Sequence, residues 1–221
     1  MKSSTTLTSP ARAKAISKPN PTVELTTRDG TLRHLGTAVL YTIVTVLLLG
    51  IVYPLVMTGL ALVAFPNQAN GSLVVLNGKP IGSDIIGQLW TKPQYFQGRP
   101  SAAGKNGYDP TATGGTNLGP TSKKLIDTTR ATIAALRKAN PDATIPLPMD
   151  LVTSSGSGID PDISPEGAYY QAPRVAKTRG ISLAAVTDLI NAHVHGRELG
   201  FLGEPRVNVL ELNLALDSKR S

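Results

Sequence analysis

Residues 35–65 read LGTAVLYTIVTVLLLGIVYPLVMTGLALVAF and contain no Asp, Glu, Lys, Arg or His. A membrane-spanning helix needs about 20 apolar residues, so this run predicts one transmembrane helix. The apolar region of a cleaved signal peptide is shorter, about 7–15 residues, and precedes a small-residue cleavage site. The run instead ends in Val63-Ala64-Phe65-Pro66, and we therefore expect a retained membrane anchor.

Basic residues flank this run unequally. The 34 residues before it contain six Lys and Arg residues, whereas the first twenty after it contain only Lys79. Basic residues near a span tend to stay in the cytoplasm, which predicts a single-pass protein with a cytoplasmic N-terminus. The C-terminal domain would then be extracytoplasmic, and periplasmic in a Gram-negative cell. Free ATP is a cytoplasmic solute, so that domain is not expected to meet it.

Within the run, Pro54 removes a backbone donor and is expected to kink the helix. Gly50 and Gly59 would let another helix approach closely, and Gly50, Tyr53 and Pro54 are candidate contacts with such a partner. Glycine and proline are also simply commoner in membrane helices, so both interpretations stay open. Ion pathways need polar or ionisable groups at membrane depth, and one uncharged helix cannot form a channel or pump alone.

The charge is distributed unevenly along the 221 residues. The net charge of +7 divides into +4 before the run, from six basic and two acidic residues, and +3 after it, from sixteen and thirteen. Nucleic-acid binding is not expected, because much of the basic character is the topology signal. Without Cys, the chain has no disulfide or thiolate chemistry. We predict a disordered cytoplasmic tail over 1–34, a transmembrane helix over 35–65 and one extracytoplasmic domain over 66–221.

This domain is predicted to be mixed α/β (α+β), with a small sheet and about three helices. Asn77-Gly78 predicts a hairpin between strands at 73–76 and 79–81. Apolar residues at helical spacing predict that 82–90 is helical and packs on the hairpin. A helix capped by Thr121 or Ser122 should end at Asn140. Its expected buried stripe consists of Ile126, Thr129, Ile133 and Leu136.

Three further elements are predicted in the C-terminal third. Ser164-Pro165-Glu166 is typical of the start of a short helix with proline at its first position. The last helix is expected to begin at Ser182 and to end at Gly196. Leucines at every second position over 210–216 have the period of a half-buried strand.

Residues 91–120 read TKPQYFQGRPSAAGKNGYDPTATGGTNLGP and follow neither a helical nor a strand pattern. Long loops of this kind are often functional or disordered, and the aromatic residues argue against disorder. We therefore predict an ordered recognition surface. Its candidate partner-interface residues are Tyr95, Phe96, Gly98, Arg99, Pro100 and Asn117.

No nucleotide site is convincing from the motifs. Residues 114–121 have the spacing of a phosphate-binding loop, but Pro120 stands where the phosphate-binding lysine belongs. The preceding residues also do not predict the strand that such a loop follows. What remains is a set of weak nucleotide-motif candidates, namely Gly114, Gly115, Thr116 and Asn117.

Metal and hydrolase sites are not expected either. His193 and His195 are two residues apart, so they do not share a helix face. Residues 160–171 begin like a calcium loop, but proline and glutamine occupy the positions that need glycine and glutamate. Ser157, directly between two glycines, lacks the nucleophile-elbow spacing. We expect no catalytic residue, no metal and no directly bound cofactor, which describes an accessory or recognition subunit better than an enzyme.

Eight strings in one order resemble the KdpC family, the C subunits of Kdp-type potassium-transporting ATPases. They are VYPL (52–55), QANGSL (68–73), IGQ (86–88), YFQGRPSA (95–102), GGTNL (114–118), LVTSSGSG (151–158), PRVAK (173–177) and VLELNLALD (209–217). The resemblance covers nearly the whole chain after Leu35. The chain departs from the family in its extended basic tail and in its few aromatic residues at 63–66, where relatives often carry tryptophan.

The resemblance implies a non-catalytic accessory subunit of a high-affinity, ATP-driven potassium uptake complex in the bacterial inner membrane. Its partners would be a channel-like subunit that selects K⁺, a P-type subunit that hydrolyses ATP and a very small fourth subunit. ATP and K⁺ would be handled by the complex, and this chain lacks the Asp-Lys-Thr-Gly motif of a P-type pump.

The resemblance also implies an effect on nucleotide binding. The family's C subunit is described as a catalytic chaperone that raises the pump subunit's affinity for ATP. Its Gly-Gly segment, residues 113–117 here, has been likened to a transporter signature motif. Direct nucleotide contact conflicts with the topology predicted above, so we expect an indirect effect. The alternative function is a solitary membrane-anchored periplasmic binding or enzyme module.

Overall fold

The computed structural model describes residues 28–218, with side chains from Gly30. The predicted tail falls largely on residues 1–27, which lie outside the described residues, so its disorder stays a prediction. By its internal contacts the chain divides into a unit Met1–Gly59 and a unit Leu60–Ser221.

One helix among the described residues, Gly30–Ala64, is long and apolar enough to cross a membrane. Its 35 residues correspond to about 52 Å at 1.5 Å per residue, against a hydrocarbon core of about 30 Å. The first part, α1 (Arg28–Thr45), begins before the predicted boundary at Leu35. Residues 28–34 of the predicted tail are therefore helical.

The helix changes its winding immediately before Pro54. A π-helical segment (Val46–Val52) separates α1 from α2 (Tyr53–Ala64), and the Tyr53 N–H donates to the Leu48 carbonyl five residues earlier. Proline has no N–H to give to the helix, and π-helical turns are common where a regular helix is interrupted. The kink predicted at Pro54 stays a prediction.

A hairpin follows the short helix α3 (Pro66–Ala69). Its antiparallel strands are β1 (Leu73–Leu76) and β2 (Lys79–Ser83). Asn77 and Gly78 have φ values of +52° and +76°, and positive φ at both central residues is the mark of a type I′ turn. The predicted hairpin is confirmed.

The helix predicted over residues 82–90 is wrong. After β2 the chain turns and continues without a helix or strand element as far as the next helix. The Gly87 N–H donates to the Ile159 carbonyl at 2.8 Å, a tertiary bond in place of an intrahelical one. Ile85 and Leu89 consequently remain exposed.

The described part of the domain contains four helices of ten residues or more. They are α4 (Lys123–Ala139), α5 (Pro165–Arg179), α6 (Leu183–Ala192) and α7 (Val209–Ser218). The hydroxyls of Ser122, Ser164 and Ser182 cap the first three by accepting an N–H three residues ahead. Such caps are worth about 1 kcal/mol each, and all three starts agree with the prediction.

Two helix lengths differ from the prediction. α5 is not short, since it continues through Pro173 for 15 residues. α6 ends at Ala192 instead of Gly196. The reason is that Val194 and His195 leave the helix as β4, which pairs with a neighbouring strand.

The predicted buried stripe of α4 is only half-buried. Ile126 is exposed, and Thr129, Ile133 and Leu136 are partly accessible. Thr129 and Leu136 line two clefts between the helix and loop segments, whereas Ile126 and Ile133 line neither. Loops cover a helix face less completely than a sheet or a second helix would.

The strand predicted over 210–216 is wrong, because these residues belong to α7. The Asn208 side chain accepts the N–H groups of Leu210 and Glu211 at 3.0 and 3.1 Å, which starts a helix. One of the buried positions is the polar residue Asn213, so the apolar residues alone do not show the helical spacing of the buried face. That face comprises Val209, Leu212, Asn213 and Leu216, with Leu210 also buried.

A three-stranded antiparallel sheet packs against α5 and α7 through its central strand. Its central strand β5 (Arg206–Asn208) pairs with β3 (Asp162–Ile163) on one side and β4 (Val194–His195) on the other. The core beside it includes Phe96, Ile163, Val175, Val186, Ile190, Val207, Leu212 and Leu216. The predicted class, an N-terminal membrane helix followed by a mixed α/β domain, is confirmed.

Candidate functional site

Two buried side-chain amides hold the beginning of the 91–120 loop. Gln171 of α5 accepts the Gln97 N–H at 2.8 Å and donates to the Gln97 carbonyl at 3.0 Å. Asn213 of α7 makes the same pair of bonds to Phe96, at 2.8 and 3.0 Å. Each amide thus satisfies both backbone groups of one residue, as a neighbouring strand would. This part of the loop is fixed to two helices without belonging to a sheet.

Arg174, also on α5, gathers more of the same segment. Its guanidinium donates to the Pro93 and Tyr95 carbonyls, and to side-chain oxygens of Asn140 and Gln171 at 2.9 and 2.7 Å. Burial lowers the pKa of the guanidinium to about 10, so it stays charged at neutral pH. The charge serves to order backbone and amide oxygens inside the domain.

Arg179 of α5 also holds the beginning of the loop. It donates to the Gln94 carbonyl and to the Asp217 carboxylate, both at 2.8 Å. The Tyr95 hydroxyl donates to the same carboxylate at 2.9 Å, and the Arg179 guanidinium lies 4.9 Å from the Tyr95 ring centroid, within cation–π range. The Trp90 ring is 4.8 Å from that of Tyr95. Tyr95 therefore makes structural contacts with both its ring face and its hydroxyl.

Tyr108 occupies space that two glycines leave open. A Cβ at Gly98 would lie 2.5 Å from the Tyr108 hydroxyl oxygen, and one at Gly87 would lie 2.5 Å from a ring carbon. The hydroxyl donates to the Arg99 carbonyl at 2.5 Å. Burial, and next the charge of Asp160, raise the pKa of Tyr108 to about 12. The hydroxyl therefore remains a donor at neutral pH.

Ser101 joins the middle of the loop to the Ser/Gly-rich segment 154–158. Its hydroxyl donates to the Gly158 carbonyl at 2.5 Å and accepts the Tyr108 N–H at 2.7 Å. Gly158 has φ +72°, and a Cβ there would lie 2.8 Å from the Gly114 carbonyl oxygen. The close approach of these segments requires glycine.

The nucleotide-motif candidates lie in the same contact. The Gly114 N–H donates to the Ser157 carbonyl at 2.8 Å, and a Cβ on Gly115 would be 3.3 Å from the Gly156 carbonyl oxygen. Thr116 and Asn117 are exposed beyond this contact. The geometry gives the two glycines a packing role, and the Gly114 N–H is already used within the chain.

Two of the clefts in this region are lined by α4 and by residues of the 91–120 loop. One, of about 620 Å³, is lined by hydroxyl, glycine and apolar groups together with Lys124, and includes Pro100, Gly115 and Thr116. The other, of about 520 Å³, includes Gly98, Arg99 and Pro100. The two linings offer hydrogen-bonding groups and two cationic side chains, Lys124 in the first cleft and Arg99 in the second.

A protein-family model described as "KdpC: K+-transporting ATPase, c chain" matches residues 35–218. The chain belongs to the KdpC family. The match includes the membrane helix and the domain that carries the loop and both clefts. The family description names a chain of a potassium-transporting ATPase, which indicates a complex with other subunits.

Individual relatives agree with this assignment. The potassium-transporting ATPase KdpC subunit of Koribacter versatilis is 54% identical over 186 residues, which cover 84% of this chain and 94% of the relative. The KdpC subunit of Methylococcus capsulatus is 50% identical over 189 residues, covering 86% and 100%. That of Caulobacter vibrioides is 54% identical over 189 residues, covering 85% and 94%.

The predicted interface residues are distributed over two units. Gly50, Tyr53 and Pro54 lie in the membrane helix, on exposed surface. Their contact with a partner helix stays a prediction. In the domain, Gly98, Arg99 and Pro100 are half-buried and line a cleft, Tyr95 is half-buried and Asn117 is exposed. These positions are compatible with the predicted KdpC partner surface without testing it.

The prediction that Phe96 contacts a partner is wrong, because this residue has no exposed surface and belongs to the core. The sequence predicts that its aromatic ring belongs to the recognition surface, along with that of Tyr95. The Asn213 side chain pairs with both backbone groups of Phe96, which holds this residue against α7, and the Phe96 ring packs in the core. It anchors the loop from within.

Sequence reasoning missed the side chains that hold the loop. Gln171 and Arg174 are buried on α5, and Asn213 is buried on α7. A polar residue on the apolar face of a helix was the available signal, since such groups need buried partners. At Asn213 that signal was hidden by the strand interpretation of the leucines around it.

The two histidines near the C-terminus have structural partners. The His193 Nδ1 lies 2.8 Å from the Leu189 carbonyl oxygen, at the end of α6. The His195 Nε2 lies 3.1 Å from the Glu211 carboxylate. The two rings thus belong to different contacts, one closing a helix and the other joining β4 to α7.

Proposed function

We propose that this chain is a non-catalytic accessory subunit of a high-affinity, ATP-driven potassium uptake complex in the bacterial inner membrane. Its partners are a channel-like subunit that binds K⁺, a P-type subunit that hydrolyses ATP and a small fourth subunit. The chain is needed for assembly, and it raises the ATP affinity of the P-type subunit as a catalytic chaperone. Its N-terminus is cytoplasmic and its domain is extracytoplasmic.

The observation that carries this proposal is that the one candidate membrane helix among the described residues has no charged side chain from Leu35 onward. Residues 35–65 contain no ionisable side chain except the tyrosines, and ion pathways require polar or charged groups at membrane depth. Selection and pumping of K⁺ must therefore be done by other subunits. The membership of the KdpC family supports a potassium-transporting ATPase as the complex in question.

The effect on ATP affinity is indirect in this proposal. Gly114 gives its N–H to Ser157, and Gly115 packs against Gly156, so the Gly-Gly segment offers no phosphate cradle of the helix-start kind. The excess of basic residues before the helix supports a cytoplasmic N-terminus. The domain would then hold the channel-like subunit from outside, and the helix would couple that state to the pump.

The first experiment isolates the tagged chain from membranes of potassium-starved cells in mild detergent. Recovery of a channel-like subunit and a P-type ATPase, with K⁺-stimulated ATP hydrolysis, is the expected result. A higher KM for ATP in complexes lacking this chain supports the chaperone role. Recovery of the chain alone, without ATPase activity, would favour the solitary binding or enzyme module.

A second experiment tests the indirect mechanism and the topology. The purified full chain alone is expected not to bind ATP at micromolar concentration, and such binding would refute the indirect mechanism. Because the chain contains no Cys, Met149→Cys can report the location of the domain. A membrane-impermeant maleimide should label this exposed position in cells with a permeable outer membrane. Ser4→Cys, in the N-terminal tail, should react only after the inner membrane is opened.

A further inference from the structure

The uncharged stretch that forms the membrane helix continues into the β1–β2 hairpin. Residues 35–83 contain a single charged side chain, that of Lys79. The helix accounts for this stretch only as far as Ala64. The residues after it, which include the whole hairpin, are therefore uncharged for a reason other than crossing the bilayer as a helix.

The first strand of the hairpin presents apolar side chains to solvent. Leu73 and Val75 are 54% and 57% exposed, and Leu76 at the turn is 51% exposed. Leu73 and Val75 alternate with the half-buried Val74, so they point to the same side of the strand. Antiparallel strands with one solvated face normally carry polar residues on that face. An apolar face in this position marks a contact with something less polar than water.

A compact turn keeps the hairpin close to the end of the membrane helix. The Ser72 N–H donates to the Asn67 carbonyl at 2.9 Å, and the Ser83 hydroxyl donates to the Gly71 carbonyl at 2.7 Å. Ser72 thus lies beside a residue that is only three positions past Ala64, and the strand begins within about 20 Å of the helix end. The last turn of the helix belongs to the same compact unit as the hairpin.

The length of the helix indicates the level at which it ends. From Leu35 to Ala64 it has about 30 residues without a charge, which is about 45 Å at 1.5 Å per residue. A bilayer with its headgroups is about 40–45 Å thick. The helix therefore ends among the headgroups, or deeper if it is tilted. The hairpin that follows it begins at headgroup level.

The one charge of the hairpin suits this level. Lys79 is exposed and lies opposite Leu76 beside the turn. Among the described residues none forms an ion pair with it. In segments that lie in a membrane interface, basic side chains reach the lipid phosphates while apolar side chains enter the acyl boundary. Lipid is favoured over a protein as the partner, because the apolar face continues directly from a segment that is itself surrounded by the bilayer.

We propose that the β1–β2 hairpin lies in the interfacial layer of the membrane, with Leu73, Val75 and Leu76 in contact with lipid and Lys79 at the phosphates. The inference goes beyond the proposed function and depends only on the helix crossing the membrane. A single helix leaves the domain free to rotate about the helix axis. A second contact with the bilayer would limit that rotation.

The test measures which medium surrounds Val75. Because the chain contains no Cys, Val75→Cys can carry a nitroxide spin label in the full chain. The matched control is Met149→Cys, since Met149 is 70% exposed and lies outside the hairpin. Electron paramagnetic resonance is recorded on the isolated complex in nanodiscs of phosphatidylcholine and phosphatidylglycerol. Collisions with a water-soluble nickel chelate should be lost at position 75 and retained at position 149. Collisions with oxygen, which concentrates in lipid, should stay frequent at position 75.

Other surroundings of the hairpin give different results, and each would overturn the proposal. Equal nickel collisions at positions 75 and 149 would mean that the hairpin lies in water. Loss of both nickel and oxygen collisions at position 75 would mean that a protein covers it, either another subunit or a second copy of this chain. A label on Leu47→Cys, within the helix, separates the two levels of failure. If nickel reaches position 47, the membrane helix and with it the proposed function are wrong. If nickel reaches position 75 alone, only the hairpin contact is wrong.

A second measurement uses another position and another probe, so that one poorly folded variant cannot decide the result. Leu73→Cys, on the same face, carries a small fluorophore in nanodiscs that contain phosphatidylcholine brominated on its acyl chains. Bromine near the headgroup end of the chain should quench the fluorophore more strongly than bromine near the methyl end. The same fluorophore on Met149→Cys should not be quenched. Absence of quenching at position 73, or equal quenching at both positions, would overturn the proposal.

Discussion

Asn213→Ala is expected to destabilise the domain strongly. The change removes the two bonds, at 2.8 and 3.0 Å, that satisfy the Phe96 N–H and carbonyl. Each buried group left without a partner costs about 1–3 kcal/mol, so the loss is about 2–6 kcal/mol. Alanine returns roughly 0.5 kcal/mol through its higher helix propensity. The net loss of about 2–5 kcal/mol is a large part of the 5–15 kcal/mol typical of a whole domain.

The assay is urea unfolding of the full chain in mild detergent. Trp90, the only tryptophan, lies 4.8 Å from Tyr95 and reports on the loop by fluorescence, while far-UV circular dichroism reports on the helices. With a slope of about 2 kcal/mol per M, the midpoint should fall by about 1–2.5 M. Both signals should move together, because Phe96 belongs to the core.

Asn191→Ala is the matched control. Asn191 lies on α6 and is exposed. Its side chain accepts a hydrogen bond from the Tyr169 hydroxyl at the surface, so this variant gains the same helix propensity and loses one exposed bond, but leaves no buried backbone group unpaired. Surface substitutions usually change stability by no more than about 0.5 kcal/mol. If the two variants agreed within that range, the amide pairing would not stabilise the loop. A fluorescence transition that shifted while the dichroism transition stayed in place would refute the cooperative attachment of loop and helices.

Three further predictions concern the same region. Tyr108→Phe removes the 2.5 Å bond to a backbone carbonyl and should cost about 1–2 kcal/mol in urea unfolding; an unchanged midpoint would contradict this. Gly158→Ala should cost more than about 1 kcal/mol, because φ is +72° and alanine is strained there; the thermal midpoint measures it, and no loss would refute the packing role. Burial, and next the charge of a neighbouring carboxylate, raise the pKa of Asp162 in the folded domain. Its contribution to stability is therefore complete below the pKa that Asp162 has in the unfolded chain, and it is lost as pH rises through the pKa in the folded domain. Relative to the unaltered chain, Asp162→Asn should therefore gain stability between pH 3 and 7. Asp109→Asn should lose stability over the same range, because hydrogen bonds from Thr111 lower the pKa of Asp109. If the stability of both variants changed in the same direction as pH rises, the two opposite pKa shifts would be refuted.

Local rules predicted the elements whose causes are local. The hairpin turn needs two residues that tolerate positive φ, which Asn77-Gly78 supply. Each serine cap needs only the N–H groups of its own first turn. For the same reason the starts of α4, α5 and α6 were predicted correctly, whereas the burial of α4 and the lengths of α5 and α6 were not. The end of α6 was wrong because β4 pairs with a strand that comes later in the chain.

The candidate site depended on contacts that no local pattern contains. Phe96 and Asn213 are 117 residues apart in the chain, and Gln97 and Gln171 are 74 apart. The loop was correctly expected to be an organised element without helix or strand. Gly114 and Gly115 of this loop have the spacing of a nucleotide motif, whereas in the structure the Gly114 N–H donates to Ser157 and Gly115 packs against Gly156.

The sequence alone determined the membrane helix, the class of the domain and the resemblance to the KdpC family. The apolar run over residues 35–65 belongs to one segment, and its length and apolarity favour a membrane helix without contacts from other parts of the chain. Tertiary structure alone decided that residues 210–216 form a helix, that Phe96 faces the core and that Leu199, Phe201 and Leu202 stay exposed. The physical reason is that a leucine, a phenylalanine or an amide has no preferred side until other segments bury it or leave it in water.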